Sequence, residues 1–311
     1  MTDPFAPLRF PRGRAAANAL MLAPLTNCQS HPDGTLSDEE HHWLTMRADG
    51  GFGTVMTCAA SVSATGVGFP GQLGVHDDTH LPGLERLASD LRAAGSVALA
   101  QLQHAGIRSP IDLIGTTPVG PSDHADTGAR ALTTDEVEQA VADFVAAARR
   151  AERAGFDGVE LHGAHGYLLC AFLSPELNRR TDRYGGSLEN RSRILFEILD
   201  GIRAECGPDF VVGVRLSLER FGVRLDEMRI VTQALIDSGQ VDFMDLSLWD
   251  CTKEPVEMAG SGRSLLEVTT DLARRHDPQG RRVPIGVAGK LHDPDDIAYA
   301  LEHGADFVLL G

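Results

Sequence analysis

One short pattern recurs along the chain and constrains its fold more than any other feature. A glycine follows a helical stretch, an aspartate comes two or three residues later, and an apolar run then begins. The copies pair Gly155 with Asp157, Gly239 with Asp242 and Gly304 with Asp306, and residues 50–53 form a looser copy. Glycine readily adopts the positive φ at which many helices end, so each copy predicts a helix that stops and a buried strand that starts. The repetition predicts an α/β protein.

Strands and helices alternate between these turns. The eight predicted strands are residues 19–25, 54–58, 96–102, 158–162, 211–216, 243–248, 283–287 and 307–310, and they are nearly all apolar. Five of the seven predicted helices are residues 83–94, 187–205, 225–238, 264–276 and 293–303. The other two follow Ser37 and Thr133, which each precede a glutamate by three residues, as in a capping box. Apolar strands alternating with helices favour a parallel sheet that is covered on both faces.

Two architectures fit this alternation. An open doubly wound sheet would need a glycine-rich loop directly after its first strand, but Thr26, Asn27, Cys28 and Gln29 follow that strand here. Eight strands alternating with helices in 311 residues instead match a parallel eight-stranded (β/α)8 TIM barrel whose eighth helix is missing. We therefore expect a single domain over residues 1–311.

Composition excludes several classes of partner. The formal charge of −16 argues against nucleic acid and against anionic membrane surfaces. No apolar run approaches the ~18 residues that a membrane span requires, and the first residues lack the apolar part of a signal peptide. The five cysteines lie at least 30 residues apart, so no CxxC metal motif exists. We expect reduced, mostly buried thiols in a cytoplasmic protein.

Polar side chains gather where the predicted strands end, which is where TIM barrels carry their chemistry. They are Gln101, His162, His165, Tyr167 and Arg215. Each of them alone is a weak indication, since a single such residue often has a structural role. Two histidines also suit a zinc site, or they are satisfied core residues. Their shared position at successive strand ends favours a functional site.

One long stretch resembles a known family. From His162 to Arg193 the chain reads HGAHGYLLCAFLSPELNRRTDRYGGSLENRSR, which is similar to the Old Yellow Enzyme family of FMN-dependent ene reductases and NAD(P)H:flavin oxidoreductases. The matching positions are Ser174, Pro175, Asn178, Arg180, Asp182, Tyr184, Gly185, Gly186, Ser187, Glu189, Asn190, Arg191 and Arg193. The resemblance extends over essentially the whole chain. Much of this run is expected to be scaffold, with Ser187 capping a helix and Glu189 paired with Arg193.

The resemblance implies FMN as cofactor and NADH or NADPH as hydride donor. The residues that would contact the isoalloxazine are Ala23, Pro24, Leu25, Thr26, Ala59, Gln101 and Arg215, and those near the phosphate are Gly289, Lys290 and Gly311. Glutamine offers a donor and an acceptor to the edge of the flavin, and arginine stabilises negative charge on the reduced ring.

The resemblance also implies the chemistry. His162 and His165 would donate hydrogen bonds to the carbonyl oxygen of an α,β-unsaturated substrate, Tyr167 would protonate its α-carbon, and Cys28 would line the substrate site. The expected function is NAD(P)H-driven reduction of activated C=C bonds in a small-molecule enone or related electrophile. The chain departs from the family where Ile107 displaces Arg108 by one residue, and where Thr26 replaces a cysteine that one branch carries.

Alternatives remain open at this point. The same FMN barrel could act on amines or dienoyl thioesters, or bind flavin without catalysis, and a metal-dependent hydrolase would use the two histidines. The sequence does not decide whether the protein forms a homo-oligomer. In the family an arginine and a further helix follow the position of Gly311. We therefore expect the natural protein to be longer, and the chain as given to bind FMN poorly and to aggregate.

Overall fold

A computed structural model describes residues 3–273 and 275–311 of the chain. In chain order the elements are β1 Leu20–Leu22, α1 Asp38–Asp49, β2 Thr54–Ser61, α2 Leu81–Ala93, β3 Val97–Gln103, α3 Ile111–Ile114, β4 Val119–Gly120, β5 Arg130–Ala131, α4 Thr134–Arg153, β6 Gly158–Gly163, α5 Leu168–Leu173, α6 Leu188–Glu205, β7 Val211–Ser217, α7 Leu225–Asp237, β8 Phe243–Ser247, α8 Leu265–Thr270, β9 Ile285–Ala288, α9 Pro294–Glu302 and β10 Phe307–Leu310. Among the helices of these residues, none is both long and apolar enough to cross a membrane.

Eight of the strands close into a parallel barrel in the order β1-β10-β9-β8-β7-β6-β3-β2. Strand β10 pairs in parallel with β1, with Leu20 opposite Val308, and this pairing joins the two ends of the sheet. The prediction of a TIM barrel is confirmed. Strands β4 and β5 form a separate small sheet between β3 and α4, which the sequence analysis did not predict, and neither did it predict the short helices α3 and α5.

The aspartates of the repeated pattern bind the start of the neighbouring strand. The carboxylate of Asp157 accepts from the Ala98 N–H at 2.9 Å, and that of Asp242 accepts from the Val212 N–H at 2.8 Å. Asp306 does the same for Ile285, also at 2.8 Å. Each carboxylate also forms an ion pair with an arginine. The pattern recurs because the aspartate before each new strand supplies an acceptor to an N–H at the start of the strand beside it.

Two predicted elements are much shorter in the structure. The first strand ends at Leu22 rather than at residue 25, because Pro24 has no N–H to offer a strand neighbour. Helix α8 ends at Thr270, short of the predicted residue 276, and Arg274 lies outside the described residues. The hydroxyls of Thr269 and Thr270 bond back to carbonyls one turn earlier, an arrangement that weakens a helix.

The two predicted capping boxes have different outcomes. Thr133 and Glu136 form both hydrogen bonds of the box, as predicted. Ser37 accepts from the Glu40 N–H at 3.1 Å, but the Glu40 side chain does not return to the helix start. It is buried and contacts the Ser30 hydroxyl and the Cys58 thiol instead. The prediction of a full box at Ser37 is therefore wrong, because Glu40 faces the core rather than solvent.

An aromatic layer closes the end of the barrel where the strands begin. The Phe243 ring lies 5.7 Å from that of Phe10 and 6.0 Å from that of Phe307, measured between centroids. A Cβ on Gly213 would lie 2.0 Å from the Phe243 ring, and one on Gly286 would lie 2.0 Å from the Phe307 ring. These two glycines make room for rings that fill the barrel. A ligand therefore enters only from the opposite end, where the strands finish.

All five cysteines are free thiols, as predicted. Cys58, Cys170 and Cys251 are buried, Cys206 is half-buried and Cys28 is exposed. Burial raises the pKa of the Cys170 thiol to about 12 and that of Cys251 to about 11. The buried thiols are thus protonated at neutral pH, whereas Cys28 lies at the surface of the loop after β1.

Candidate active site

The barrel brings the predicted polar residues to its open end. Register places Gln101 of β3 beside Glu160 of β6, and His162 of β6 beside Arg215 of β7. Arg215 is in turn beside Asp245 of β8. These side chains therefore form successive layers inside the barrel near its mouth, with Gln101, Glu160 and Asp245 fully buried.

The two histidines contact one another directly. The Nε2 of His162 and the Nδ1 of His165 are 3.3 Å apart. The Ala164 N–H donates to Nδ1 of His162 at 3.3 Å, which puts the proton of that neutral ring on Nε2. On the far side, Nε2 of His165 lies 2.7 Å from the hydroxyl of Ser247. The sequence analysis did not select Ser247, since a serine at a strand end is common.

The backbone holds His165 in an unusual conformation. Its φ is +61°, in the left-handed region that residues other than glycine rarely occupy. The Ser217 hydroxyl accepts from the His165 N–H at 3.0 Å, and the Arg108 guanidinium donates to the His165 carbonyl at 2.7 Å. These bonds fix the turn that aims the His165 ring at His162. Such conformations cluster at functional sites.

Both imidazoles are neutral at neutral pH. Burial lowers the pKa of His162 well below its usual value, and the nearby His165 and Arg215 add to this effect. Burial also lowers the pKa of His165 to about 3, with further contributions from Arg215 and Arg108. The pair therefore acts through N–H and lone-pair groups rather than as cations.

Tyr167 completes this side of the mouth. It lies directly before α5, and its ring meets that of His162 edge-on with centroids 4.9 Å apart. The Arg108 guanidinium lies 5.4 Å from the centroid of the tyrosine ring. Although Arg108 is one residue later than in the family pattern, the structure still places its charge against this turn.

Gln101 and Arg215 are held by two carboxyls that the sequence analysis missed. Gln101 donates from Nε2 to Glu160 at 2.7 Å, and Arg215 pairs with Asp245 at 3.1 Å. The available indication was an acidic residue inside an otherwise apolar strand, which is rare unless the acid is paired. The Oε1 of Gln101 is buried and has no hydrogen-bond partner among the described residues. A ligand N–H would satisfy it, so this part of the mouth fits the edge of a flavin.

The other predicted cofactor residues line the same end of the barrel. After β1, Ala23 is buried, Pro24 is half-buried, and Leu25, Thr26 and Cys28 are exposed. The carbonyl of Ala59 accepts from the Gln72 amide at 2.8 Å, so that carbonyl is already occupied. Gly289 and Lys290 follow β9, and Gly311 follows β10. The Lys290 ammonium contacts Asp250 at 3.0 Å, which offsets its charge.

Within residues 3–273 and 275–311, no three His, Cys, Asp or Glu side chains are grouped as metal ligands. The nitrogens of the two histidines are instead taken up by each other, by Ser247 and by the backbone.

Comparison with known proteins assigns the family. The family model "NADH:flavin oxidoreductase / NADH oxidase family" matches residues 4–311. The chain belongs to this family. It is therefore an oxidoreductase that uses FMN and a nicotinamide cofactor, in a barrel of the Old Yellow Enzyme type.

Individual relatives agree with this assignment. The chain is 38% identical to the probable NADH-dependent flavin oxidoreductase YqiG of Bacillus subtilis, over 99% of this chain and 83% of that protein. It superposes on an Old Yellow Enzyme homologue from Zymomonas mobilis with a TM-score of 0.83 and 28% identity, covering 99% of this chain and 88% of that one. A 2-naphthoyl-CoA reductase in complex with 2-naphthoyl-CoA gives a TM-score of 0.86 and 28% identity, covering 98% of this chain. The chain spans 50% of the length of that reductase.

Proposed function

We propose that the protein reduces the activated C=C bond of α,β-unsaturated carbonyl compounds with NADH or NADPH. The single observation that carries this proposal is the convergence of His162, His165 and Tyr167 at the barrel mouth. FMN held at the barrel mouth would supply the hydride-transfer chemistry between the nicotinamide and the β-carbon of the substrate. The residues described below hold the substrate for that transfer.

The histidines bind the carbonyl oxygen of the substrate. Their facing nitrogens are 3.3 Å apart, so one oxygen placed between them would contact both. His162 already carries its proton on Nε2, and His165 carries one on Nδ1 when the Ser247 hydroxyl donates to its Nε2. Negative charge grows on that oxygen as hydride arrives, and two fixed donors would favour the transition state by about 3 kcal/mol. Because both rings are neutral, this contribution would be constant around neutral pH.

Tyr167 supplies the proton for the α-carbon. Its ring lies against His162, so its hydroxyl is near a substrate whose carbonyl oxygen contacts the two histidines. A positioned tyrosine hydroxyl can serve as a general acid. The Arg108 guanidinium beside the ring would stabilise the phenolate that remains after proton transfer.

The cofactor would lie across the mouth, with its pyrimidine edge at Gln101 and Arg215. Ala23, Pro24, Leu25, Thr26 and the Ala59 backbone would border the rings. Gly289, Lys290 and Gly311, which follow the last two strands of the barrel, would be close to the phosphate, a common site in TIM barrels. Exposed Cys28 would line the substrate side.

A second candidate substrate class is an unsaturated acyl-CoA thioester. The match to a 2-naphthoyl-CoA reductase supports it, and a thioester carbonyl would use the same two histidines. The two classes separate in a turnover assay that compares an enone with the matching enoyl-CoA at equal concentration. Higher kcat/KM for the thioester would make the second candidate the better description.

The catalytic roles are tested by separating the two half-reactions in rapid-mixing experiments. Tyr167→Phe is expected to leave flavin reduction by NAD(P)H nearly intact and to slow reoxidation by an enone by about 10²–10⁴-fold. Tyr299→Phe is the matched control, because Tyr299 lies in α9, outside the site, and stacks on His303. Equal slowing of both half-reactions in the Tyr167 variant would remove the proton-donor role.

A further inference from the structure

A buried network of polar side chains connects four strands beneath the proposed flavin site. Gln101 of β3 donates to Glu160 of β6 at 2.7 Å. The buried carboxyls of Glu160 and Asp245 interact with each other, and Asp245 pairs with Arg215 of β7 at 3.1 Å. Gln101, Glu160 and Asp245 are 0% exposed, and Arg215 is 7% exposed. These four side chains are therefore almost entirely shielded from bulk water.

If both carboxyls of this network are ionised, its negative charges outnumber its positive charge. One guanidinium faces two carboxylates, and two acceptor-only groups cannot hydrogen-bond to each other without a proton. Without that proton, Oε2 of Glu160 and both oxygens of Asp245 lack hydrogen-bond partners. An uncompensated buried charge costs several kcal/mol, so a proton shared by the two carboxyls is strongly favoured.

The surroundings decide which carboxyl holds the proton. Burial raises the pKa of Glu160, and the charge of Asp245 raises it further. Burial also raises the pKa of Asp245, and Arg215 opposes the rise at both carboxyls. Arg215 forms its ion pair with Asp245, at 3.1 Å, so the charge belongs to Asp245 and the proton belongs to Glu160.

We propose that Glu160 is a protonated positioning residue that fixes the orientation of the Gln101 amide. Its O–H donates to Asp245, and its carbonyl oxygen accepts from Nε2 of Gln101. With one N–H of Nε2 held in this way, the amide cannot turn over, and Gln101 presents Oε1 to the cofactor. The pyrimidine ring of oxidised flavin carries a single N–H, at N3, so Gln101 would recognise that group alone.

The inference rests on the proposed placement of the flavin edge at Gln101, and it is tested with FMN and N3-methyl-FMN as paired probes. Dissociation constants come from quenching of flavin fluorescence. We expect the wild-type protein to prefer FMN by about tenfold or more, since one buried hydrogen bond is lost with the methylated probe. Gln101→Ala should abolish most of this preference. If it does not, the placement of the flavin is wrong, independently of Glu160.

Two substitutions at Glu160 separate the protonated acid from alternatives. Glu160→Gln keeps one acceptor for Gln101 and one N–H for Asp245, so its preference should stay within about twofold of wild type. Methionine in Glu160→Met has a similar length but lacks both the acceptor for Gln101 and the donor to Asp245. The Gln101 amide is then free to rotate, and the preference for FMN over N3-methyl-FMN should fall by about tenfold. Asp242→Asn is the control, because Asp242 directly precedes β8, the strand of Asp245, and forms a buried ion pair at the other end of the barrel. It should lower thermal stability without changing the preference.

Infrared spectra test the inference without the Glu160→Met variant, which matters if that variant fails to fold. The wild-type minus Glu160→Gln difference spectrum at neutral pH should contain the carbonyl band of a protonated carboxylic acid. Absence of that band, or loss of the probe preference in Glu160→Gln, would overturn the inference. An unchanged preference in a folded Glu160→Met variant would overturn it as well.

Discussion

A buried histidine makes this protein sensitive to mild acid in a way that can be calculated. His104 follows β3, is 5% exposed, and accepts a hydrogen bond on Nδ1 from the Gly106 N–H at 3.0 Å. Burial lowers its pKa to about 4, against about 6.5 in the unfolded chain. Between these values the unfolded chain binds more protons than the folded protein. Stability therefore rises with pH across this window and is lost as the pH falls.

The size of this loss follows from the two pKa values. At pH 7 about a quarter of the unfolded form of His104 is protonated, whereas at pH 5 nearly all of the unfolded form and only about a tenth of the buried form is protonated. Integration from pH 7 to pH 5 gives a loss of about 2 kcal/mol from this residue. That is a large share of a total stability of about 5–15 kcal/mol. His162 and His165 act in the same direction, and the raised pKa values of Glu160 and Asp245 act against it.

A variant isolates the contribution of His104 from these other groups. In His104→Asn the side-chain oxygen keeps an acceptor for the Gly106 N–H, but nothing titrates. Urea unfolding of both proteins at pH 7 and pH 5, with the same excess of FMN, gives four free energies of unfolding. We expect the variant to lose about 2 kcal/mol less than wild type between the two pH values, whatever the cost of its smaller side chain. Equal losses in the two proteins would refute the reasoning, because they would mean that His104 is protonated in the folded state.

Two further outcomes are expected. Gly213→Ala should lower the free energy of unfolding by about 1–3 kcal/mol, since its Cβ meets the Phe243 ring, and a second change of Phe243→Leu should recover part of the loss in urea unfolding. Native protein should show one fast-reacting thiol with a thiol-specific dye, Cys28, and five after denaturation, so two or more fast thiols would contradict the burial described here.

Local patterns in the sequence were sufficient to predict the architecture. The turns at Gly155, Gly239 and Gly304 all have positive φ, and a strand of the barrel begins within five residues of each. These features depend on neighbours in the chain, because a helix stop and a strand start are set by backbone freedom and hydrophobic runs. The layer position of Gln101, His162 and Arg215 also followed, since parallel strands of a barrel end at one face.

The predicted cap and helix end that differ from the structure depend on contacts between residues distant in sequence. Glu40 suits a capping box by its spacing, yet the core beside Cys58 takes its side chain. The end of α8 likewise involves the carbonyl of His303, to which Thr270 donates at 2.9 Å. Neither partner is visible from a local window of residues.

The site shows the same division between local and tertiary information. The sequence by itself determined which residue types reach the barrel mouth, because their strand and position are fixed by local patterning. Only the tertiary structure decided how they are partnered: that Glu160 holds Gln101, that Asp245 holds Arg215, and that Ser247 meets His165. Each of these pairs joins two different strands, and barrel closure and register set such distances. The protonation states of the buried groups follow from those distances. The sequence therefore determines which residues form the site, and the tertiary structure determines how they are partnered and protonated.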